Sequence, residues 1–454
     1  MQTLTLSRPL PPPPISHLSW RVVSGALRGD ALAAFPTETF TEEVVVQRFF
    51  GREHILLQRP EAIRHVLIEN AQNYRRSPTV TRILRPMFGR GLFLSAGDEW
   101  REQRRSIAPV FAPRAVRMLA RQVVAATDRL VVDLASVDDT INMVPVFQRL
   151  ALEVIGGAIF SLDMRQYGPE LRELILRYAA RLGRPSLIDF LLPLGFPTPA
   201  DFARARFRRR WLQLIDRIIA DRAARPSREG PRDLFEMLAG ANSDGSPGLR
   251  GEQLGDQIAT IVVAGHETTA AALFWILYLL AKHPDEQERL ANEVMPLGLT
   301  PANAAELLPQ LVRTRAVVDE ALRLYPPAFV IVRQAIDDDE ADGIPVRNRS
   351  LVLIAPWVMH RHHRFWKAPD RFDPSRFMPD APPPPRFAYM PFGAGPRICV
   401  GQPFALTELV LVVATLLRAF RIELASRRMV HAVGLVTLQP DFPPPFRLTA
   451  RAAG

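Results

Sequence analysis

The sequence predicts a mainly α-helical chain with a smaller β-rich region, and three observations carry that reading. Long segments repeat apolar residues at helical spacing, above all 115–135, 141–161 and 252–282. Short runs near the start, 44–50 and 54–57, and the alternating stretch from Phe420 to Arg451 read as strands. At 48% hydrophobic residues, the 454-residue chain can bury a large core.

Forty-two prolines give many rigid connections, yet no long low-complexity linker divides the sequence. A Pro-rich arm over 1–19, with Pro11 to Pro14 in a row, followed by a single domain over 20–454 is therefore expected. One cysteine excludes an intramolecular disulfide framework and fits a reducing compartment. The net charge of +10 raises a nucleic-acid reading. No zinc-finger spacing, basic heptad helix or aromatic RNA-binding signature supports it, so an acidic protein partner suits the basic surface better. The polar start carries no secretory signal, and a soluble, cytoplasmic chain is expected.

In chain order, strands over 44–50 and 54–57, broken at Gly51, lead into a helix from Pro60 to about Glu69 and then a loop-like stretch over 74–97. GDEWREQRRSIAPVF opens a helix on which Trp100 and Arg104, four apart, share one face. Spacing alone fits an anion-facing pair and a solvated basic face equally. Residues 171–224 hold two helical patterns separated by SLIDFLLPLGFPTP, whose apolar part, 187–196, is a candidate contact for a membrane or a partner.

The segment 252–282 is apolar almost all round and resembles a membrane span in length, but AGHETT places polar groups in its middle. Gly265 permits close backbone approach. The Thr268 hydroxyl is spaced to bond the Ala264 carbonyl and open the helix locally, leaving a polar notch. A satisfied polar kink is the plain alternative. VVDEALRLYPP carries Glu320 and Arg323 three apart, a pair common on ordinary helix surfaces. Gly343-Ile344-Pro345 and 351–354 read as a hairpin turning at Arg347-Asn348. HRHHR, 360–364, reads as histidines left solvated on a loop and not as a metal cluster.

The remaining motif is MPFGAGPRICVGQPFA, residues 390–405, which holds Cys399. Gly393, Gly395, Pro396 and Gly401 require sharp bends and a close approach to something. A helix over 403–420 follows, with Pro403 in its first turn. Cys399 therefore sits just ahead of a helix N-terminus, where free N–H groups and the dipole favour a thiolate, the form in which sulfur binds iron. A lone cysteine is otherwise a small buried hydrophobe. The spacing of Phe392, Gly395, Arg397, Cys399 and Gly401, however, resembles the haem-binding signature of the cytochrome P450 family. Similarity to that family extends over most of the chain.

The resemblance implies the cytochrome P450 fold, a triangular-prism α+β arrangement, binding haem b (iron protoporphyrin IX) through the Cys399 thiolate. It implies that Trp100, Arg104, Arg333 and Arg397 serve the haem, with Ala264 beside it, and that Ala264, Ala328, Phe329 and Val436 line a substrate pocket. Thr268 would hold a water and Glu267 relay protons. Arg376, in PSRF, would complete a structural triad with Glu320 and Arg323 that pins the segment bearing the cysteine loop. The helix pair over 171–224 would be a lid.

The implied activity is monooxygenation: O2 and two electrons, delivered by a ferredoxin or flavodoxin with its reductase, hydroxylate or epoxidise a hydrophobic small molecule of fatty-acid, terpenoid, steroid or aromatic class. A monomer with no membrane anchor and no nucleic-acid partner is expected. Two rivals stand beside this reading. A peroxide-driven haem-thiolate oxygenase or isomerase would not require controlled proton delivery, and a haem-binding sensor would not turn over.

Overall fold

The computed structural model describes residues 15–17, 30–49, 52–162, 164–183, 189, 192, 196–225, 233–240 and 248–451. The chain gathers into two compact units interleaved in sequence. One takes residues 1–77, 329–370 and 384–398, and the other takes 78–328, 371–383 and 399–454.

The first unit is built on β1 (Ile15–His17), β2 (Val44–Phe49), β3 (Arg52–Leu57) and β4 (Tyr74–Arg75), joined later in the chain by β5 (Ile331–Ala335), β6 (Asp339–Ala341), β7 (Ile344–Val346) and β8 (Leu351–Ile354). Six of them form one sheet in the order β1-β2-β3-β8-β5-β4. The strands expected over 44–50 and 54–57 are the antiparallel pair β2–β3. Ile55, Leu57, Val352 and Ile354 pack with Ile63 and Val66 to form this unit's core. The last two come from the helix Pro60–Arg64, begun on a proline whose fixed φ suits a first turn, and from the π turn His65–Glu69 that continues it. Of the arm expected over 1–19, only Ile15–His17 lies within the described residues, as a strand parallel to β2.

Two expectations for this unit fail. The hairpin is β6–β7, not a pairing of 344–346 with 351–354. Its two-residue loop is Asp342-Gly343, with φ of 51° and 76°, the doubly left-handed geometry that favours an Asp-Gly sequence. Residues 351–354 instead lie between β3 and β5 in the large sheet, and the left-handed residue before them is Arg349 (φ 66°), not Asn348. Nor are the histidines of HRHHR all solvated. His360 and His362 are buried, and only His363 is exposed. His360 Nε2 accepts the Met390 amide at 2.9 Å, and the His362 ring meets the Glu42 carbonyl at 3.1 Å. Folding gives each buried ring a backbone partner, which removes the reason to stay in water. Among the described residues there is no cluster able to hold a metal ion.

The second unit is helical. Its main helices are α1 (Gly97–Ile107), α2 (Pro113–Ala135), α3 (Met143–Phe160), α4 (Pro199–Ala223), α5 (Gly251–Lys282), α6 (Val312–Leu324) and α7 (Gln402–Ala419). Helix α5 packs on α3, and α7 packs on α2. By length and composition α3, α5 and α7 could each cross a membrane, but 72%, 72% and 67% of their apolar windows are buried within the protein. Each buried Leu, Ile or Val contributes ~1.5–3 kcal/mol, so these helices supply much of the unit's cohesion.

The stretch read as a loop over 74–97 contains the helix Pro78–Phe88. Ile83, Met87 and Phe88 bury one of its faces, and Pro86 lies inside it, where it forgoes the backbone bond to the Arg82 carbonyl, a cost the buried face offsets. The prolines and Gly89 hid that pattern in the sequence. The two helical patterns of 171–224 appear as Gly168–Arg177, extended by the π turn Tyr178–Leu182, and as α4. Most of 187–196 lies outside the described residues.

The expected C-terminal strands are β9 (Phe420–Leu424), β10 (Ala432–Gly434), β11 (Leu438–Pro440) and β12 (Pro445–Ala450). Strands β10 and β11 form a separate hairpin. Trp275 of α5 stacks on Tyr325 with centroids 4.0 Å apart, and its indole N–H donates to the Leu438 carbonyl at 3.0 Å. The hairpin is thereby fixed to the central helix.

Candidate active site

In the larger unit, Cys399 stands two residues ahead of Gly401, the N-cap of α7, and Pro403 lies in the first turn as expected. The backbone N–H groups of Gly401 and Gln402 donate to the sulfur, and the Arg104 charge lies within reach. All three favour a thiolate. Burial outweighs them and pushes the thiol pKa above its ordinary value, so the helix end alone does not ionise this cysteine. The residue as a whole is nevertheless exposed. Gly401 has an ordinary φ of −83°, contrary to the expected sharp bend. A Cβ there would meet the sulfur at 3.9 Å, an ordinary contact, so neither φ nor space in this chain requires glycine at this position.

Helix α5 supplies a second accessible patch. From Leu254 to Leu280 every residue is buried except Ala264, Gly265, Glu267 and Thr268. The Thr268 hydroxyl donates to the Ala264 carbonyl, as its spacing predicts. The expected local opening does not occur, because the helix runs unbroken from Gly251 to Lys282. The hydroxyl uses the carbonyl's second lone pair and leaves the backbone bond in place. Burial pushes the Glu267 pKa up to about 7. One of its oxygens accepts from the Gln439 amide at 2.9 Å, and the other is buried with no hydrogen-bond partner among the described residues. Next to it His266 is fully buried, its pKa pushed down to about 4 by burial and the Arg172 charge. One turn away, Thr269 bonds Glu408 of α7, which burial raises to about 8.

Glu320, Arg323 and Arg376 lie together in the larger unit. Arg323 grips Glu320 through two bonds of 2.6 and 2.8 Å, with both side chains fully buried. Arg376 lies 3.6 Å from the same carboxylate. Arg323 also donates to the Arg371 carbonyl at 3.0 Å, while the Asp373 amide donates to Glu320 at 2.9 Å. The triad thus ties α6 to residues 371–376. Burial still pushes the Glu320 pKa up despite its guanidinium neighbours.

In the smaller unit the cysteine loop begins with two left-handed glycines, Gly393 (φ 76°) and Gly395 (φ 73°). A Cβ on Gly395 would lie 2.3 Å from the Leu67 carbonyl oxygen, so only glycine fits. Phe392 is half-buried. Arg333 of β5 and Arg397 lie near each other and near Arg76, which the sequence reading did not single out. Burial and the other two charges hold Arg76 well below the usual arginine range. Burial brings Arg333 down to about 10, and burial with the Arg333 charge does the same to Arg397. Three guanidiniums set against one another in low dielectric form a receptor for a dianion. Nothing in NYRRSP separates Arg76 from Arg75, whose guanidinium pairs with Gln334 at 3.0 Å.

The remaining expected residues are placed as follows. Trp100 and Arg104 lie half-buried on α1, and the Arg104 charge bears on Cys399. Ala328 is exposed, and Val436, in the β10–β11 turn, is 46% exposed. Phe329 is only 4% exposed and belongs to the core, so it does not present the open face expected of a pocket residue.

The thiolate donors and the acid–alcohol window of the larger unit suit an iron porphyrin, and the arginine cluster of the smaller unit suits a dianion. Comparison with known proteins agrees. A family model described as Cytochrome P450 matches residues 11–439. Cyclooctatin synthase of Streptomyces melanosporofaciens is 33% identical over 401 residues, covering 84% of this chain and 83% of that one. A Mycobacterium bovis protein numbered cytochrome P450 132 is 30% identical over 460 residues, 97% of this chain and 98% of its own. The solved heme domain of cytochrome P450DA shares the fold, with a TM-score of 0.77 over 90% of each chain at 24% identity.

Proposed function

The chain belongs to the cytochrome P450 family and is a haem-thiolate monooxygenase, and from that premise we propose that Cys399 ligates its iron while Glu267 and Thr268 manage its protons. Held by a thiolate, haem supplies the redox chemistry: with two electrons and two protons, one atom of O2 leaves as water and the other enters the substrate.

The protein's part is placement, dryness and proton delivery. The amides of Gly401 and Gln402 engage sulfur lone pairs and moderate how strongly Cys399 donates. Arg76, Arg333 and Arg397 would take the propionates, exchanging mutual repulsion for charge-assisted hydrogen bonds. Arg104 and Trp100 would support the porphyrin from α1. Ala264 is small enough to leave the α5 window open. Thr268 donates to the Ala264 carbonyl and so turns its own lone pairs outward to accept from a water. Glu267, titrating at about 7, can both give and recover a proton near neutral pH. The triad Glu320–Arg323–Arg376 is structural.

The observation that carries this reading is the α5 window, since a helix otherwise buried from Leu254 to Leu280 opens only at an acid, an alcohol and two small residues. The Thr268→Ala variant tests it. Electron consumption should continue, while product formed per electron pair falls ~10²-fold in favour of peroxide. Unchanged coupling would remove Thr268 from proton delivery.

For the substrate we propose a hydrophobic molecule of the fatty-acid, terpenoid, steroid or aromatic classes, touching Ala328 and Val436. Electrons would come from a separate acidic ferredoxin or flavodoxin with its reductase, in keeping with the net charge of +10. Soret-band titration with ligands of each class selects among substrates, and reconstitution with each donor selects among partners.

The arginine receptor gives a prediction of opposite signs. Arg76→Gln should raise the melting temperature of the haem-free protein, because it removes a buried charge and, with it, like-charge repulsion, yet speed haem transfer to an acceptor such as apomyoglobin. A variant that lost stability in both states would show Arg76 to be merely structural.

A further inference from the structure

We propose that Gln439 is a positioning residue for Glu267: its side-chain amide, presented by strand β11, holds the carboxyl of the proton-handling acid. The inference rests on the relay reading of Glu267 given above.

Three observations carry it. Gln439 Nε2 donates to Glu267 Oε1 at 2.9 Å, joining residues 172 apart in sequence. The same nitrogen donates to the Thr437 hydroxyl at 2.7 Å, which fixes the amide's orientation from its own strand side. The hairpin itself is anchored independently, because Leu438 receives the Trp275 indole at 3.0 Å and donates to the Pro327 carbonyl at 3.1 Å. The amide therefore stands on a rigid support, and half-buried Gln439 is dispensable to it.

Among the described residues no arginine or lysine pairs with Glu267. The charged or titratable neighbours are His266 on its own helix, with Nδ1 3.8 Å from Oε2, and Arg172, whose charge bears on His266. A neutral donor suits an acid that must be protonated and ionised in turn. A cation would lock it ionised, and no donor at all would leave it protonated.

The test follows the Glu267 carboxyl C=O band by difference infrared titration of the resting holoprotein, with Glu267→Gln as the blank. Gln439→Leu removes a donor to the ionised form, so the band should titrate about one pH unit higher. Gln439→Lys brings a cation and should move it about one unit lower. The pH profile of coupling should shift in the same two directions, with the reduced CO-bound spectrum unchanged. A purely structural role cannot produce opposite shifts. If the band does not move in either variant, or moves the same way in both, the inference is overturned. If Glu267→Gln leaves coupling unaltered, the relay reading falls instead, whatever the band does.

Discussion

Replacing Cys399 with serine is expected to abolish turnover while leaving the fold in place. Cys399 is the chain's only thiol, and serine differs from it by one atom, so exchanging sulfur for oxygen disturbs little packing. What disappears is the donor. Burial already raises the thiol pKa, and an alcohol in the same surroundings stays protonated and binds iron weakly as a neutral ligand. The reduced, CO-bound Soret band should leave its thiolate position, and product formation should fall to the level of free haem. An unchanged band would show that the sulfur does not bind iron.

Glu320→Ala is expected to destabilise the protein by about 3–5 kcal/mol, because it leaves Arg323 charged, fully buried and without its two short bonds. The variant also removes the acceptor of the Asp373 amide and the partner of Arg376, so soluble holoprotein should drop steeply. The charge origin of the effect can be isolated. The double variant Glu320→Leu with Arg323→Leu removes both ions together and should recover much of the loss, since a buried pair is often no better than an apolar one. If the double variant were as unstable as the sum of the singles, hydrogen bonds to residues 371–373 would be the dominant contribution. Thermal unfolding at fixed haem concentration measures both.

Contiguous features were legible in the sequence. The cysteine loop, the AGHETT interruption and the E-x-x-R pair each lie within one turn or one helix, where spacing alone decides which side chains meet. Helices α3, α5 and α7 were legible because burial on most sides leaves a continuous apolar signal, and α2 because its buried face repeats at helical spacing. Features assembled by folding were not. Arg76 differs from Arg75 only in what the sheet later brings beside it. Gln439 meets Glu267 across 172 residues, and no periodicity announces that contact. His360 and His362 looked solvated because their partners, Met390 and Glu42, are remote in sequence. The Asp342-Gly343 turn is a different case. Its hairpin signature was present, and the flanking strands, three residues each, were too short to read.

Helix α5 has a consequence for biosynthesis. While the nascent chain emerges, the three segments among the described residues that are apolar enough to enter a bilayer are not yet covered by their partners. The longest of them carries His266 and Glu267 near its midpoint. A charged residue at the centre of a would-be spanning helix opposes insertion by about 2.5–3.5 kcal/mol on translocon scales. The carboxyl assigned to proton traffic in the mature enzyme would thus also steer the newborn polypeptide away from the lipid phase.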